Sequence, residues 1–548
     1  MPTDGPPPGN GGTPDASRAL RPERVDPVPL SEVAGFLGLE AEAEALPADT
    51  VVTGVCLDSR SVLPGDLYLA MPGATRHGAD FARDAVDAGA VAIVTDHDGA
   101  TQLALSETVS AVPVLVVDRP RTVAGPLAAR IYGTALHGGR PALVGVTGTN
   151  GKTTTTYFAN SLFRALGHTT GLIGTIEIVA GGEPIPSRLT TPESTDVHAL
   201  LALMRERGVT AASMEVSSHA IEFGRVDGVH YDAVGFTNLT QDHLDLHGTM
   251  EEYFAAKAAL FTPERAERGV VTVDDEWGAR LAAAATIPVT TLSTRPDAPQ
   301  ADWTVGSLDA SGLGTVFELR HRDGAALRVR CGLPGGFNVA NAALAVLLVL
   351  ASGATAEDVQ RALDAADPFA VEVPGRMQAV AAEPTAVVDF AHNPDALARA
   401  LDAVRPAGAG RLILVFGATG QRDQSKRPLM GAVAVRGADV VVVTDDDPHD
   451  EDAAAIRADV LAGALEENAS GGWDRMVIEV APRADAIRRA VALATREDVV
   501  LVAGRGHEAW QEVKGVNLAL DDRDELRAAL AEHGFRPTGG ESIESGEE

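Results

Sequence analysis

The segment VTGTNGKT, residues 146–153, lies between an apolar run predicted as a strand, Ala142–Val146, and a predicted helix, Thr153–Leu166. Its glycines, Gly148 and Gly151, let successive backbone N–H groups turn toward a phosphate, and the N-terminus of the helix adds its positive end. The strict spacing GxxxxGK[ST] is not met, because a valine stands where the first glycine belongs. The alternative to a nucleotide-binding loop is therefore a Gly-rich turn before a Thr-rich helix. The order of strand, loop, Lys-Thr and helix predicts a nucleotide-binding α/β domain.

Side chains suited to phosphate and metal binding lie in this loop and at two later strand ends. Lys152 would reach the β- and γ-phosphates of a nucleotide, and the Thr153 hydroxyl would hold Mg²⁺. The segment SMEVSSH (213–219) offers the Glu215 carboxylate to Mg²⁺ or to an attacking group, although a solvated loop residue is the alternative. The segment TNLTQDHLDLH (237–247) holds two histidines four residues apart. We expect one of them to be functional, and their spacing does not say which.

From about Phe369 the chain alternates buried-strand candidates with Ala-rich helices, which is the signature of a parallel doubly wound sheet. The strand candidates are Ala386–Phe390, Leu412–Phe416, Val440–Thr444, Met476–Val480 and Val499–Val502. Four polar segments follow four of these strands: AHNPD (391–395), GATGQRD (417–423), TDDDPHD (444–450) and GRGHE (504–508). Loops of this kind emerge at the carboxyl ends of the strands, so we expect them to converge on one crevice.

These loops carry charges of both signs. Arg422 lies with Lys426 and Arg427 in a cation-rich loop that could clamp a carboxylate, the alternative being a solvated loop before a helix. The acids of the segments 445–449 and 504–508 could bind an ammonium group. Each segment alone is weak evidence for a binding site. The stronger argument is that all of them lie at strand ends.

Composition limits the class of protein. The 548 residues predict three or four domains at roughly 150 residues each, and 45 basic against 77 acidic residues give a net charge of −32. Such an excess of acid argues against unspecific nucleic-acid or anionic-membrane binding. Two cysteines, Cys56 and Cys331, indicate a reducing compartment rather than a disulfide framework. The N-terminus lacks the apolar region of a signal peptide, and the longest apolar run, Ala342–Ala351, is too short to span a bilayer. We therefore expect a cytoplasmic protein.

Shifts in composition predict the domain boundaries. Pro, Gly and charged residues predict a disordered tail at one end, and a short acidic tail at the other. The predicted units are a tail (1–27), a small N-terminal α/β domain (28–138), a central domain (139–367), a C-terminal Rossmann-like domain (368–538) and an acidic tail (539–548).

Taken in order, the motifs of the chain resemble those of the Mur ligase family, the ATP-dependent amide-forming enzymes of peptidoglycan synthesis. The resemblance runs from about Leu30 to about Ala531. The segments that carry it include LDSRSVLPGDLYLA, GVTGTNGKTTTT, RLTTPESTD, MEVSSHAIEFGRV, FTNLTQDHLDLHG, EEYFAAK, GFNVANAALA, VPGRMQ, VVDFAHNPDAL, GQRDQSKRPLMG and AGRGHE. Any one of them is only suggestive, whereas their order is specific.

The resemblance implies a three-domain α/β enzyme with a UDP-binding N-terminal domain, a central P-loop-type ATPase domain and a C-terminal domain for an amino acid. It implies ATP and Mg²⁺ as cofactors and a reaction through an acyl phosphate. The implied substrates are UDP-N-acetylmuramoyl-L-alanyl-D-glutamate and a diamino acid, with 2,6-diaminopimelate placed first. We also expect a monomer, with neither a nucleic-acid partner nor membrane insertion.

The resemblance further implies roles for individual residues. The UDP-substrate positions are Ser59, Thr190, Thr191, Ser217 and Arg225. The ATP positions are Gly148, Thr149, Asn150, Gly151, Lys152, Thr153, Thr154, Asn338, Asn341, Arg376, Asp389 and His392. The catalytic positions are Lys152, Glu215, His243 and Lys257, and the metal positions are Thr153, Glu215, His243 and a carbamylated Lys257 (N6-carboxylysine). The amino-acid positions are Arg422, Asp446, Asp447, His449, Gly504 and Glu508.

One departure concerns the amino acid. Family members that add diaminopimelate usually read Asp-Asn-Pro-Arg where this chain has Asp446-Asp447-Pro448-His449. A neutral histidine lacks the fixed charge and the two-pronged geometry of arginine, and Asp447 adds a negative charge. Lysine or another diamino acid is therefore an alternative substrate, and a paralogous ligase of a secondary pathway is another reading.

Three other classes of protein were weighed. Folylpolyglutamate synthetases share the phosphate loop, but the N-terminal unit favours a UDP-sugar substrate. A catalytically inactive ligase fold used as a binding module would have no reason to keep Lys152, Glu215, His243 and Lys257 together. A membrane-associated ATPase would need an apolar or basic anchor, and the sequence has none.

Overall fold

In a computed structural model, the described residues form three large β-sheets and two two-stranded ones. The described residues are 20–73, 75–104, 112–135, 140–185, 189–295, 301–311 and 314–538. Each sheet falls inside one of the three predicted domains, although the domain boundaries themselves stay a prediction. The mixed α/β class and the mainly parallel sheets are confirmed.

The N-terminal unit has a four-stranded parallel sheet of order β3-β4-β5-β6 and a small β1–β2 pair. Its strands are β1 (Val28–Pro29), β2 (Val51–Val52), β3 (Gly54–Cys56), β4 (Asp66–Ala70), β5 (Ala92–Thr95) and β6 (Val114–Val116). Its helices are α1 (Leu30–Phe36), α2 (Glu40–Ala43), α3 (Ala82–Asp87), α4 (His97–Ala104) and α5 (Pro120–Ile131), with 3₁₀ turns at Ser59–Ser61 and Gly78–Phe81.

The predicted tails differ in how far they are described. Residues 1–19 and 539–548 lie outside the described residues. The rest of the predicted N-terminal tail contacts the fold, because the Arg21 guanidinium pairs with Asp66 at 2.6 Å. Only 12% of the Arg21 side chain is exposed. Glu23 N also donates to Glu206 of the central unit at 2.8 Å, so the described part of the predicted tail contacts both units.

The central unit is built on an eleven-stranded sheet of order β10-β9-β8-β11-β7-β12-β13-β14-β15-β16-β17. Its strands are β7 (Ala142–Thr147), β8 (Thr170–Ile173), β9 (Ile178–Ala180), β10 (Glu183–Ile185), β11 (Ala211–Glu215), β12 (Ala233–Phe236), β13 (Gly269–Thr272), β14 (Val289–Ser293), β15 (Trp303–Ser311), β16 (Gly314–His321) and β17 (Ala326–Cys331). The pairs from β8 to β15 are parallel, and antiparallel strands flank them on both sides.

The helices of this unit cover the sheet and close its core. They are α6 (Lys152–Ala165), α7 (Ser194–Glu206), α8 (Ser218–Glu222), α9 (Leu244–His247), α10 (Met250–Ala258), α11 (Glu276–Ala284), α12 (Gly336–Ala351) and α13 (Ala356–Ala366), followed by a 3₁₀ turn at Pro368–Ala370. The apolar helix α12 packs with α6 in one core cluster, and almost its whole length is buried. Within the described residues, no helix combines the length and the apolar character needed to cross a bilayer.

The C-terminal unit has a six-stranded sheet of order β18-β19-β23-β20-β21-β22, parallel except for the edge strand β18. Its strands are β18 (Gln378–Ala382), β19 (Thr385–Asp389), β20 (Leu412–Phe416), β21 (Val440–Val443), β22 (Met476–Glu479) and β23 (Val499–Ala503), and a separate hairpin joins β24 (Trp510–Val513) to β25 (Val516–Ala519). Its helices are α14 (Pro394–Ala403), α15 (Lys426–Gly437), α16 (Ala453–Ser470), α17 (Arg483–Leu493) and α18 (Asp522–Glu532). The predicted doubly wound sheet is confirmed.

Candidate active site

The phosphate-type loop follows β7, the strand that lies between β11 and β12 in the sheet. The loop ends at the first residue of α6. Gly148 and Gly151 have φ values of 142° and 91°. A Cβ atom on Gly148 would lie 1.9 Å from Thr237 Oγ1, and one on Gly151 would lie 2.4 Å from Asn341 Oδ1. Both positions therefore require glycine, for conformation and for space.

Two lysines converge on this loop. Lys152 Nζ donates to the carbonyls of Thr149 at 2.9 Å and Gly148 at 3.1 Å. Lys257 Nζ donates to the same Gly148 carbonyl at 2.8 Å and lies 4.4 Å above the Tyr253 ring. Burial lowers the pKa of both amines, and for Lys257 the nearby Lys152 charge lowers it further. An anion held by the loop would relieve this repulsion between cations.

Oxygen donors suited to Mg²⁺ lie beside the loop. The Thr153 hydroxyl donates to Glu215 Oε2 at 2.9 Å, and the Thr175 hydroxyl donates to the same oxygen at 3.0 Å. Among the described residues, no group of three or more His, Cys, Asp or Glu side chains could hold a metal unaided. Hard oxygen donors from few side chains fit Mg²⁺, because this ion is usually completed by water and by substrate phosphates.

The two histidines of the segment 237–247 have different environments. His243 lines the cleft with φ of 54°, and burial lowers its pKa to about 3. His247 is buried and stacks on the Tyr253 ring at 5.0 Å between centroids. The geometry therefore selects His243 as the one with access to a ligand, which the spacing could not do.

Two of the predicted nucleotide positions, Arg376 and Asp389, belong to the C-terminal unit. Arg376 spreads over the Phe390 ring at 4.2 Å and approaches Thr153 Oγ1 at 3.4 Å. Asp389 accepts backbone hydrogen bonds from Met377 at 2.7 Å and from Ala391 at 2.9 Å, while burial raises its pKa. Asp389 is thereby held at the carboxyl end of β19.

The central and C-terminal units touch each other at the loop. Asn150 Nδ2 donates to Asp395 Oδ2 at 3.3 Å, and Asn393 Nδ2 donates to Asn150 Oδ1 at 3.2 Å. Asp242, buried beside His243, lies 3.5 Å from His392 Nε2. Burial opposes the ionisation of Asp242, but His392, His243 and Lys426 outweigh it and lower the pKa of this carboxyl.

The predicted UDP-substrate positions lie toward the N-terminal unit. Arg225 donates to Glu193 at 2.9 Å, and Arg121 of the N-terminal unit donates to the other oxygen of Glu193 at 2.6 Å. Thr191 is buried and its hydroxyl donates to the Glu215 carbonyl at 2.9 Å. This pocket wall is thus built from both units.

The acidic positions of the C-terminal unit surround a buried cation. Arg505 is fully buried, forms an ion pair with Asp447, and lies 3.8 Å from Glu508 and 4.0 Å from Asp446. Burial raises the pKa of Glu508 to about 8, and repulsion from Asp446 and Asp447 adds to this effect. A Cβ atom on Gly504 would lie 2.6 Å from Asp446 Oδ2, so glycine is required there.

The cation-rich loop after β20 is divided by the fold. Arg427 is buried and pairs with Glu451 at 2.8 Å and with Asp459 at 3.1 Å, so it does not join a clamp in the cleft. Arg422 is exposed on the cleft wall, and Lys426 lines the cleft as well. The cluster of three cations considered from the sequence therefore reduces to two.

All three units border one cleft of about 1950 Å³. The predicted residues that line it are Thr149, Asn150, Gly151, Lys152, Thr153, Thr154, Thr190, Glu215, Ser217, Arg225, His243, Asn338, Asn341, Arg376, Asp389, His392, Arg422, Asp446, Asp447, His449, Gly504 and Glu508. Ser59, Gly148, Thr191 and Lys257 lie behind the wall, although Asp58 and Arg60 on either side of Ser59 line it. The four polar segments after the C-terminal strands do meet on this cleft, as predicted.

Several residues of the cleft were not singled out from the sequence. Thr175 binds both oxygens of Glu215, through its hydroxyl and through its backbone N–H at 2.8 Å. Trp510 and Glu512 line the cleft from the hairpin β24–β25, on the side of the predicted amino-acid positions. Arg505 lies in the polar segment GRGHE, so the sequence pattern could have indicated it. An isolated Thr, Trp or Glu belongs to no pattern that predicts a site.

Three family profiles match the chain. They are Mur ligase family, catalytic domain (51–146); Mur ligase middle domain (146–349); and Mur ligase, glutamate ligase domain (375–506). Together they span most of the region between the two predicted tails.

Among curated proteins, UDP-N-acetylmuramoyl-L-alanyl-D-glutamate–2,6-diaminopimelate ligase of Streptomyces avermitilis is 46% identical over 93% of this chain and 98% of its own length. UDP-N-acetylmuramyl-tripeptide synthetase of Leifsonia xyli is 44% identical over 95% of this chain and 99% of its own length. A solved structure of a UDP-N-acetylmuramoyl-L-alanyl-D-glutamate–2,6-diaminopimelate ligase is 30% identical with a TM-score of 0.63, covering 93% of this chain and 100% of that one.

Proposed function

The chain belongs to the Mur ligase family, and on this premise we propose that it uses ATP to join 2,6-diaminopimelate to UDP-N-acetylmuramoyl-L-alanyl-D-glutamate in peptidoglycan synthesis. One observation carries the proposal: a single cleft runs from the N-terminal unit past the phosphate-type loop to the acidic strand-end loops of the C-terminal unit. A UDP-linked acid, a nucleotide and an amine can therefore be held side by side. A monomer in the cytoplasm suffices for this reaction.

The first step forms an acyl phosphate. The substrate carboxylate attacks the γ-phosphorus of ATP, and the bond to the β–γ bridging oxygen breaks to release ADP. Both partners are anions, so the reaction needs positive charge at the transferred group. Lys152 and the backbone N–H groups of the loop supply it, and Mg²⁺ held by Thr153 and Glu215 would neutralise further phosphate charge.

The second step forms the amide. The neutral amine attacks the acyl carbon, the bond from that carbon to the phosphate oxygen breaks so that phosphate leaves, and the nitrogen loses one proton to solvent. Water would destroy the acyl phosphate, so the cleft must exclude it. The contacts of Asn150 with Asp395 and Asn393 bring the C-terminal unit against the phosphate-type loop and support this role.

We also propose that Lys257 is carbamylated. Its amine is buried and its lowered pKa raises the fraction of neutral amine, which is the form that attacks CO₂. A new N–C bond then forms and one proton leaves to solvent. Growth of a ¹³C carbamate signal in ¹³C-bicarbonate, retained in Lys514→Met and lost in Lys257→Met, would be the expected result.

The test of the function uses purified protein with ATP, Mg²⁺ and UDP-N-acetylmuramoyl-L-alanyl-D-glutamate. Phosphate release and product mass are followed with diaminopimelate isomers, lysine, ornithine or no amine. We expect tripeptide product with a diaminopimelate isomer and none with Lys152→Ala. Lysine is the second candidate, because Asp447 and His449 suit a cationic side chain, and lysine-only turnover would replace diaminopimelate in the proposal.

A further inference from the structure

The hairpin β24–β25 forms one wall at the amino-acid end of the cleft. Trp510, Glu512 and Asn517 line the cleft from it. Trp510 and Glu512 are two residues apart on β24, and Asn517 is the cross-strand partner of Glu512, so the three share one face of the hairpin.

Backbone and side-chain hydrogen bonds join this hairpin to the loop that follows β21. His449 N donates to the Glu512 carbonyl at 3.3 Å, and Lys514 N donates to the His449 carbonyl at 2.8 Å. Gln511 Nε2 donates to the Asp446 carbonyl at 2.6 Å. The loop and the hairpin therefore form one continuous wall, which fixes His449 relative to Glu512.

The side chains of His449 and Glu512 also bind each other, with His449 Nδ1 at 3.0 Å from Glu512 Oε2. Their side chains are 20% and 38% exposed, so the pair is only partly shielded from water. A histidine that donates Nδ1–H to a carboxylate has its other ring nitrogen directed away from that carboxylate. No hydrogen bond joins His449 Nε2 to any residue that the structure describes.

Two arginines near this wall are engaged with protein groups. Arg505 pairs with Asp447 and donates to the Trp510 carbonyl. Arg483 is fully buried and donates to both oxygens of Asp522 at 2.7 Å. Among the described residues of the loop after β21 and of the hairpin, His449 is the basic one that lines the cleft, and Arg422 and Lys426 line it from the loop after β20. Asp446 and Glu508 supply acceptors for an ammonium group.

We propose that Glu512 is a positioning residue, which holds His449 so that Nε2–H of its imidazolium binds a carboxylate on the side chain of the incoming amino acid. The inference rests on the proposed function, because diaminopimelate carries a carboxylate and an ammonium group at its far end. An imidazolium between two carboxylates donates one hydrogen bond to each. Without Glu512, the ring is free to turn and its charged form loses a partner.

The experiment is a double-mutant cycle of Glu512→Gln and His449→Ala, with steady-state kinetics on diaminopimelate and on lysine. For Glu512→Gln we expect KM for diaminopimelate to rise about tenfold with kcat within about twofold, since a charge-assisted contact to bound substrate is weakened. KM for lysine should change less than about twofold. In the His449→Ala background, Glu512→Gln should add less than about twofold.

Two further variants complete the design. His449→Arg should restore a low KM for diaminopimelate and make it insensitive to Glu512→Gln, because arginine keeps its charge without a partner. Glu532→Gln removes an exposed carboxylate of α18 that lies away from the cleft and should match wild type. The proposal would be overturned if Glu512→Gln raised KM equally for both amines. It would also be overturned if Glu512→Gln raised KM for diaminopimelate as much in the His449→Ala background as in wild type. Failure of the wild type itself on diaminopimelate would refute the proposed function and remove this inference with it.

Discussion

Among single side chains, Lys257 has an unusual environment for a lysine. It is buried, its amine donates to the Gly148 carbonyl, and burial holds its pKa well below the usual range. A lysine whose pKa is lower in the folded state than in the unfolded chain reduces stability at every pH below the unfolded value. Holding this amine in the fold therefore costs stability, which agrees with the role proposed for it.

We expect Lys257→Met to lower turnover at least about 100-fold while the unfolding midpoint stays level or rises, since an apolar chain of similar length fills the site. Thermal unfolding and phosphate release measure the two effects. Lys514→Met, at an exposed lysine, is the matched control and should alter neither. A marked fall in the unfolding midpoint of Lys257→Met would indicate a structural role instead.

The Thr153 hydroxyl contacts both Glu215 and Arg376, so its removal should affect metal binding first. For Thr153→Ala we expect the Mg²⁺ concentration for half-maximal rate to rise about tenfold or more, because the proposed oxygen ligand would be removed. Thr153→Ser keeps the hydroxyl and should stay within about threefold of wild type. Equal Mg²⁺ dependence of both variants would contradict this assignment.

At the level of elements, α12 packs against α6 and so supports the helix whose N-terminus closes the phosphate-type loop. Leu348 of α12 is fully buried. We expect Leu348→Ala to reduce the free energy of unfolding by about 2–5 kcal/mol, the usual cost of a cavity in a core. Urea unfolding of the central unit measures it. Leu429→Ala, on the exposed face of α15, should change stability by less than about 0.5 kcal/mol.

Regular elements were predictable from the sequence because their signals are local. The predicted helix Thr153–Leu166 is observed as Lys152–Ala165, and the strand Leu412–Phe416 is observed unchanged. The three-stranded meander Trp303–Cys331 and the hairpin β24–β25 were not predicted. These strands are held by pairing with neighbours, and their exposed faces give weak hydrophobic patterns.

The convergence of the four C-terminal loops followed from topology alone, but their side-chain partners did not. Asp447 was expected to add free negative charge to the pocket, whereas Arg505 pairs with it. His449 was compared with an arginine, whereas Glu512 binds it from a strand 63 residues away in sequence. Contacts of this kind depend on how distant segments pack, which no local pattern encodes.

On the scale of the whole molecule, acid sensitivity should arise where the units meet. His198 of α7 lies between Thr134, at 2.7 Å, and the Asp227 carbonyl, at 2.9 Å, and burial lowers its pKa to about 4. Between the unfolded value near 6.5 and this folded value, the unfolded chain binds a proton that the folded chain does not. Stability is therefore lost as pH falls from about 6.5 to about 4.

For this reason we expect the urea midpoint of wild type to fall across that range, with His198 contributing up to about 3 kcal/mol. His198→Asn can keep a hydrogen bond without titrating, and it should flatten that part of the profile while lowering the midpoint at pH 7. Urea titrations at half-unit pH steps provide the comparison. Parallel profiles for the two proteins would exclude His198 as a source of the acid sensitivity.

The contacts of Asn150 with Asp395 and Asn393 join the phosphate-type loop to the C-terminal unit, whose later loops carry the predicted amino-acid positions. Thermodynamic linkage then makes the two occupancies reciprocal: a nucleotide that favours this joined arrangement raises the affinity for the amine, and the amine raises the affinity for the nucleotide by the same factor. Calorimetric titration of diaminopimelate with and without a non-hydrolysable ATP analogue would give that factor, and Asn150→Ala should bring it toward one. The coupling between the two ligands would then depend on a few polar contacts between the units rather than on either pocket alone.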